Sequence, residues 1–186
     1  MKKGVIFGVL VGALLILASG IAWAATVRCP AGGDECVGTG GPDTMYGTDN
    51  HDHMRGLEGD DEMYGLGGRD YDHHDTFDGG LYGGPGRDTL LGGEGGDDLH
   101  GGRGSDDLRG GPGNDTLVGE EGYEFVDGDP AGSDRLAGGS GNDYFVAEDG
   151  EKDRIYCDRG RQDYVEADRG RGGVRDYIDD SCENVN

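Results

Sequence analysis

Apolar and polar positions follow two different rhythms along this chain. From Val5 to Ala18 the side chains are almost all apolar, with Lys2 and Lys3 before them and Ser19, Gly20, Ile21 and Ala22-Trp23-Ala24 after. A basic start, an apolar middle and a small-x-small end predict an export signal over residues 1–25, removed after Ala24 or Ala25. The competing reading is an uncleaved anchor, because Val5 to Ala25 approaches the roughly 20 residues a membrane-spanning helix needs. Beyond this segment one apolar side chain returns every nine residues: Met45, Met54, Met63, Leu81, Leu90, Leu99, Leu108, Leu117 and Val126. Asp72 is the one interruption. A period of nine is a repeat unit, and it predicts stacked copies of one small turn-plus-strand element.

The unit is clearest from Gly83, where GGPGRDTLL, GGEGGDDLH, GGRGSDDLR and GGPGNDTLV follow one another. Each has Gly at its first, second and fourth positions, Asp at the sixth and Leu at the eighth. The same step places Asp43, Asp52, Asp61, Asp70, Asp88, Asp97, Asp106 and Asp115 at sixth positions, with Gly79 as a gap. After Leu117 the register loosens: Glu124 takes a sixth position, and an insertion resets the phase to Asp134 with Leu136 and Asp143 with Phe145. Weaker copies follow at Asp153 with Ile155 and at Asp163 with Val165. Tyr71 to Phe77 (YDHHDTF) lacks the glycines and predicts one distorted coil.

Each part of the unit has a physical reason. Glycine reaches the tight-turn conformations that other residues avoid and leaves its carbonyl open. Residues seven to nine form a short strand with the eighth side chain inward. Two units make one coil, so units eighteen residues apart share an edge. A strict step puts Asp52, Asp70, Asp88 and Asp106 on one edge, and Asp43, Asp61, Asp97 and Asp115 on the other. At a strand spacing of about 4.8 Å, stacked carboxylates need something positive between them.

Composition narrows the chemistry. The chain has 186 residues, with 42 Gly, 39 acidic and 16 basic residues, and a formal charge of -23. Asp and Gly are poor helix formers, which excludes a helical bundle. Nucleic acid is excluded as a partner, because its phosphates repel so acidic a chain. Carboxylates and carbonyls are hard oxygen ligands and suit Ca²⁺ over Mg²⁺ or a transition metal. His51, His53, His73, His74 and His100 read as surface residues of degenerate units. No nucleophile elbow, H-E-x-x-H or phosphate loop is present, so an enzyme is not expected.

These repeats resemble the hemolysin-type, RTX-like calcium-binding nonapeptide, over roughly Gly38 to Val146. The resemblance implies an all-β fold, a right-handed parallel β-roll of about seven coils. It also implies several calcium ions between same-edge turns. Their ligands would be the carboxylates of Asp43, Asp52, Asp61, Asp70, Asp88, Asp97, Asp106, Asp115, Asp134 and Asp143. The carbonyls of Gly84, Gly86, Gly93, Gly95, Gly102, Gly104, Gly111 and Gly113 would complete them. Departures from the motif fall at Asn50, Asp72, His74, Phe77, Gly79 and Glu124.

The organisation expected is a signal (1–25), an N-terminal cap (26–37), the calcium-binding roll (38–146), and degenerate repeats with a C-terminal cap (147–186). Four cysteines in an exported chain favour disulfides and permit three pairings. Local pairing, Cys29 with Cys36 and Cys157 with Cys182, is the simplest. Tyr144, Phe145, Tyr156, Tyr164 and Tyr177 are expected to be buried at the solenoid's end. The function expected is that of a secreted, calcium-binding protein folding on its ions, free of the membrane after signal cleavage, with an extracellular partner the residues do not name. The alternative is a surface or matrix adhesion module using calcium only structurally.

Overall fold

The eighth residue of each unit sets the architecture. In the computed structural model, which describes residues 24–31, 35–71, 79–128, 132–160, 162–168 and 175–186, every regular element is a strand. One sheet holds, in order, β1 (Thr26–Arg28), β3 (Thr44–Tyr46), β5 (Glu62–Gly67), β7 (Thr89–Glu94), β9 (Asp107–Arg109), β11 (Phe125–Asp127), β13 (Tyr144–Ala147), β15 (Tyr164–Ala167) and β17 (Asn184–Val185). The other holds β2 (Cys36–Val37), β4 (His53–Arg55), β6 (Gly80–Pro85), β8 (Asp98–Gly104), β10 (Thr116–Gly122), β12 (Arg135–Gly141), β14 (Arg154–Tyr156) and β16 (Tyr177–Ile178). All pairings are parallel, and successive strands alternate between sheets, so the chain winds as a flattened β-solenoid. The end strands β1, β2, β16 and β17 carry the stack past the recognisable repeats.

Period-two alternation within each strand points the eighth side chain inward. Met45, Met54, Met63, Leu81, Leu90, Leu99, Leu108, Leu117, Val126, Leu136, Phe145, Ile155 and Val165 are fully buried and form one continuous file between the sheets. In-register stacking places Leu81 on Leu99, Leu99 on Leu117, and Leu117 on Leu136. The middle strands exceed the three residues expected: β8 runs from Asp98 to Gly104, into the glycine turn. Turns of equal shape stack in register, so their backbones pair as well.

Two expectations change. A strict nine-residue step places residues 71–79 within the stack as a distorted coil. Instead His53 pairs with Gly80, twenty-seven residues on. The Gly80 amide donates to the Asp52 carbonyl (3.1 Å) and the Asp98 amide to the Asp70 carbonyl (2.7 Å). Asp70 is therefore followed in the stack by Gly80, so nine residues of sequence fall between the sixth and seventh positions of one unit. At their start, His51 Nε2 lies 2.9 Å from the Tyr71 carbonyl. Residues 72–78, with Asp72, His73 and His74, lie outside the described residues. The second change concerns the aromatics. Only Phe145 enters the core; Tyr144, Tyr156 and Tyr164 are half-buried on the outer faces and Tyr177 is exposed.

Cysteine pairing follows the local pattern: Cys29 bonds Cys36 and Cys157 bonds Cys182, one disulfide towards each end. Most of the segment expected to be an export signal, residues 1–23 of 1–25, lies outside the described residues. Among the described residues no helix is long and apolar enough to cross a membrane.

The second position of the unit takes a left-handed backbone, with φ of +114° at Gly84 and +111° at Gly93. Leu57, Leu66 and Glu120 occupy the same position at +88°, +79° and +83°, where an L side chain is strained. Replacing the exposed Leu66 with Gly should therefore stabilise the fold by about 1 kcal/mol after glycine's own entropy cost. A denaturant midpoint measures it. Deleting residues 71–79 should join Asp70 to Gly80 with both sheets kept. A far-UV circular dichroism spectrum like that of the full chain is the expected outcome, and loss of the β signal would contradict the looped-out register.

Candidate metal centre

The sixth-position carboxylates stand at the exits of the turns, where the chain enters each strand. From Asp61 and Asp70 onward, each reaches back one coil on its own edge and accepts the backbone N–H of the equivalent residue there. On the first edge the donors and acceptors run Asp43 to Asp61 (2.8 Å), Asp61 to Asp88 (2.9 Å), Asp88 to Asp106 (2.8 Å), Asp106 to Glu124 (2.7 Å), Glu124 to Asp143 (3.1 Å) and Asp143 to Asp163 (2.9 Å). On the second they run Asp52 to Asp70 (2.8 Å), Asp70 to Asp97 (2.9 Å), Asp97 to Asp115 (2.8 Å), Asp115 to Asp134 (2.8 Å), Asp134 to Asp153 (2.8 Å) and Asp153 to Asp176 (3.0 Å).

Edge membership thus differs from the strict-step expectation. Asp88 and Asp106 stack on Asp61, and Asp97 and Asp115 on Asp70, because the looped-out nonapeptide exchanges the edges after Asp70. The gap foreseen at Gly79 closes for the same reason. All ten predicted carboxylates lie on the two ladders and all are buried; nine accept from the preceding coil, and Asp52 opens the second ladder as a donor. Sequence reasoning left Glu124 in doubt, yet it is a full rung whose Oε2 replaces an aspartate oxygen. It missed Asp176, which comes thirteen residues after Asp163 and so falls out of step. The available signal was an acid two residues before an apolar side chain, as in Asp153 with Ile155, Asp163 with Val165 and Asp176 with Ile178.

One carboxylate oxygen per rung is used in this way. The other is buried without a hydrogen-bond partner at Asp61, Asp70, Asp88, Asp97, Asp106, Asp143 and Asp163 (Oδ2) and at Glu124 (Oε1). At Asp61, Asp70, Asp88, Asp97 and Asp106 it faces the first glycine of its own turn and the carbonyl of the first glycine one coil on. A Cβ on Gly101 would lie 2.5 Å from Asp106 Oδ2 and 2.9 Å from the Gly119 carbonyl; one on Gly92 would lie 2.6 Å from Asp97 Oδ2 and 2.5 Å from the Gly110 carbonyl. Only glycine leaves that oxygen-lined space open. The carbonyls of Gly84, Gly86, Gly93 and Gly95 face the α-carbons of Gly102, Gly104, Gly111 and Gly113 one coil on, closer than any side chain allows. The predicted carbonyl and carboxylate ligands therefore share the turn edges.

The first rungs are different. Asp43 accepts from Ala25 N–H (2.8 Å) and Thr39 N–H (2.5 Å), and Thr39 Oγ1 lies 3.1 Å away. Asp52 takes the Thr48 N–H (2.7 Å) and hydroxyl (3.0 Å) on Oδ2. Threonine in place of the second glycine supplies donors there that the perfect turns lack.

Burial without compensation disfavours the charged form. It pushes the carboxyls of Asp70 and Glu124 up to about 8, Asp88 and Asp153 to about 7, and Asp61, Asp106 and Asp143 to about 6. The rung hydrogen bonds oppose the shift, and carboxylates one coil away on the same edge add to it for Asp70, Glu124 and Asp88. A buried carboxylate oxygen with no donor, beside backbone carbonyls, fits a hard cation that takes six to eight oxygens. Among the described residues no three His, Cys, Asp or Glu side chains converge, so such a cation would draw most of its oxygens from the backbone. His100 stacks on Tyr82 and lies 3.5 Å from Glu120, away from the rungs.

Comparison with known proteins agrees with this geometry. No curated protein matches the chain. The family model for the RTX calcium-binding nonapeptide repeat matches in four copies, over residues 37–72, 77–108, 100–129 and 131–151. Those copies span more than half of the chain and contain eleven consecutive ladder carboxylates, Asp43 to Asp143, so this protein belongs to the RTX calcium-binding nonapeptide repeat family.

Proposed function

We propose that this chain is an exported protein whose roll folds on binding several calcium ions along its two turn edges. The observation that carries the reading is the row of buried carboxylate oxygens without donors. Asp52, Asp61, Asp70, Asp88, Asp97, Asp106, Asp115, Asp134 and Asp143 would hold the ions, with Gly84, Gly86, Gly93, Gly95, Gly102, Gly104, Gly111 and Gly113 offering carbonyls. Asp43, whose two oxygens already have donors, ends the first ladder. Calcium, when bound, supplies the positive charge that lets these carboxylates ionise within the fold. The chain's own residues do the rest: the rung bonds set the coil spacing, and the glycines keep the turn edges open.

Export rests on the N-terminal residues 1–25 and on the two disulfides, which suit an oxidising compartment. Residues 26–37 and 147–186 would close the ends of the 38–146 roll. The core supports ion-coupled folding, because it amounts to one apolar side chain per half-coil. So thin a core offsets little of the entropy of ordering a glycine-rich chain. Far-UV circular dichroism of the oxidised chain, titrated with calcium and separately with magnesium, tests the reading. A calcium-specific gain of β signal is expected; unchanged β structure in chelator would make the ions accessory.

Acidity should replace part of the metal's role. Unfolded carboxyls titrate near 4, and the folded ones above are raised to about 6 to 8. The native state then binds more protons than the unfolded state between those values, so stability falls as pH rises through that window. In chelator the roll should be most stable near pH 4 and progressively lost towards pH 8. Apparent calcium affinity should climb over the same range. Thermal unfolding in chelator from pH 4 to pH 8 measures the first, and calcium titrations by circular dichroism the second.

Asp106→Asn separates hydrogen bonding from charge. Asparagine keeps an oxygen for the Asp88 N–H but cannot ionise. The variant should melt higher than the parent in chelator at pH 8 and require more calcium to reach its folded plateau. A lower melting point in chelator would show that the rung bond, not the buried charge, dominates.

A further inference from the structure

The outer faces repeat in register as strictly as the core does. Tyr46 and Tyr64 are partners between β3 and β5, with ring centroids 5.1 Å apart and planes within 10°. Tyr144 and Tyr164 are partners between β13 and β15, also at 5.1 Å and within 13°. Both pairs are half-buried, so the rings lean on the sheet while their hydroxyls stay at the surface. Other aromatic contacts differ in kind. Tyr82 stacks on His100 and Phe125 on Tyr144. Tyr123, 59% exposed, has no tyrosine stacked on it among the described residues.

We propose that Tyr46 with Tyr64, and Tyr144 with Tyr164, are sites of oxidative coupling, each pair closing to a dityrosine bridge between neighbouring coils. Parallel register holds the two rings face to face with centroids 5.1 Å apart, so one ring is the other's nearest aromatic neighbour on the next coil. Rotation about the side-chain bonds then closes the gap between ortho carbons. Fixing two reactants in this way replaces a bimolecular encounter with an intramolecular one. Each pair also has an acceptor for the proton that a phenol sheds with its electron. The Tyr64 hydroxyl lies 3.5 Å from Glu62 Oε2, and the Glu166 carboxylate acts on the Tyr144 phenol, pushing its pKa up.

The co-reactant is a peroxide acting through a peroxidase. Each phenol gives up one electron and its hydroxyl proton, and the two phenoxyl radicals join through ortho carbons. The hydrogens on those carbons then move to the oxygens and restore both phenols. In sum, two aromatic C–H bonds are replaced by one C–C bond, and one hydrogen peroxide takes two hydrogens and becomes two waters. The product would be a covalent staple between adjacent coils, distinct from the disulfides and independent of the turn edges. The inference rests on sheet register and ring geometry, not on the proposed calcium sites.

The test is to treat the calcium-saturated, oxidised full chain with peroxidase and hydrogen peroxide at low protein concentration. Dityrosine fluorescence, denaturing electrophoresis and mass mapping of proteolytic fragments are the readouts. The variants are Tyr64→Phe, Tyr164→Phe and the double variant, because phenylalanine keeps the stacked ring and cannot form the radical. The expected result is fluorescence in monomeric protein, with fragments joined through Tyr46–Tyr64 and Tyr144–Tyr164, each lighter by two hydrogens. Each single variant should lose its own bridge, and the double variant should lose monomer fluorescence by about tenfold or more, as geometry-controlled coupling requires. Coupling confined to dimers, coupling centred on the exposed Tyr123, or monomer fluorescence surviving in the double variant would each overturn the proposal.

Discussion

One interaction governs this molecule: a buried carboxylate that takes the backbone N–H of the preceding coil on one oxygen and turns the other toward backbone carbonyls. The first oxygen's bond is charge-assisted and repeats along both edges, so it fixes the distance and phase of every coil relative to the next. At Asp61, Asp70, Asp88, Asp97, Asp106, Glu124, Asp143 and Asp163 the second oxygen has no donor among the described residues, and an unsatisfied buried charge is costly. The same residue therefore builds the stack and makes the stack depend on a positive charge. Aspartate suits the rung because its short side chain reaches one coil back and no further. Glu124, with one more methylene, presents its oxygen to Asp106 at 2.7 Å all the same, so the rung selects for a placed oxygen more than for one residue type.

The glycines follow from the rung. Those at the first position leave room for the free oxygen, and those at the second and fourth let carbonyls approach the next coil's α-carbons. At Leu57, Leu66 and Glu120 a side chain occupies the second position with left-handed strain. Where Thr39 and Thr48 replace that glycine, a hydroxyl and an amide meet the carboxylate instead. The N-terminal turns thereby satisfy with protein donors what the central turns leave open.

Stability outside the edges comes from stacking like upon like. The apolar file is one side chain wide, so each coil contributes little alone and gains only from its neighbours. On the outer faces, three runs of aromatic contacts begin with an arginine one coil earlier: Arg28 over Tyr46, Arg109 over Phe125 and Arg135 over Tyr156, at 5.0, 5.5 and 5.1 Å. These contacts explain why Tyr144, Tyr156 and Tyr164 are not in the core: seventh and ninth positions point outward, whatever their hydrophobicity. The disulfides sit towards the two ends, where coils have a neighbour on one side only.

Much of this could be read from residue order. A nine-residue period of glycine, aspartate and leucine is local information, repeated often enough to specify the turn, the strand, the inward face and the ten predicted rungs. Cysteine pairing was legible for a similar reason, since each pair brackets one end of the repeats. Which rungs share an edge was not. Edge membership depends on how many units lie within the stack, and Tyr71 to Gly79 have the length of a unit without its glycines. Pairing strength decides that question, and pairing links residues twenty-seven apart. Asp176 escaped for the related reason that spacing along the chain is an imperfect guide once a loop lengthens. The sequence alone determined the unit and its chemistry, because both are short-range; only the tertiary structure decided which copies meet, because stacking joins strands across whichever residues the chain can loop out.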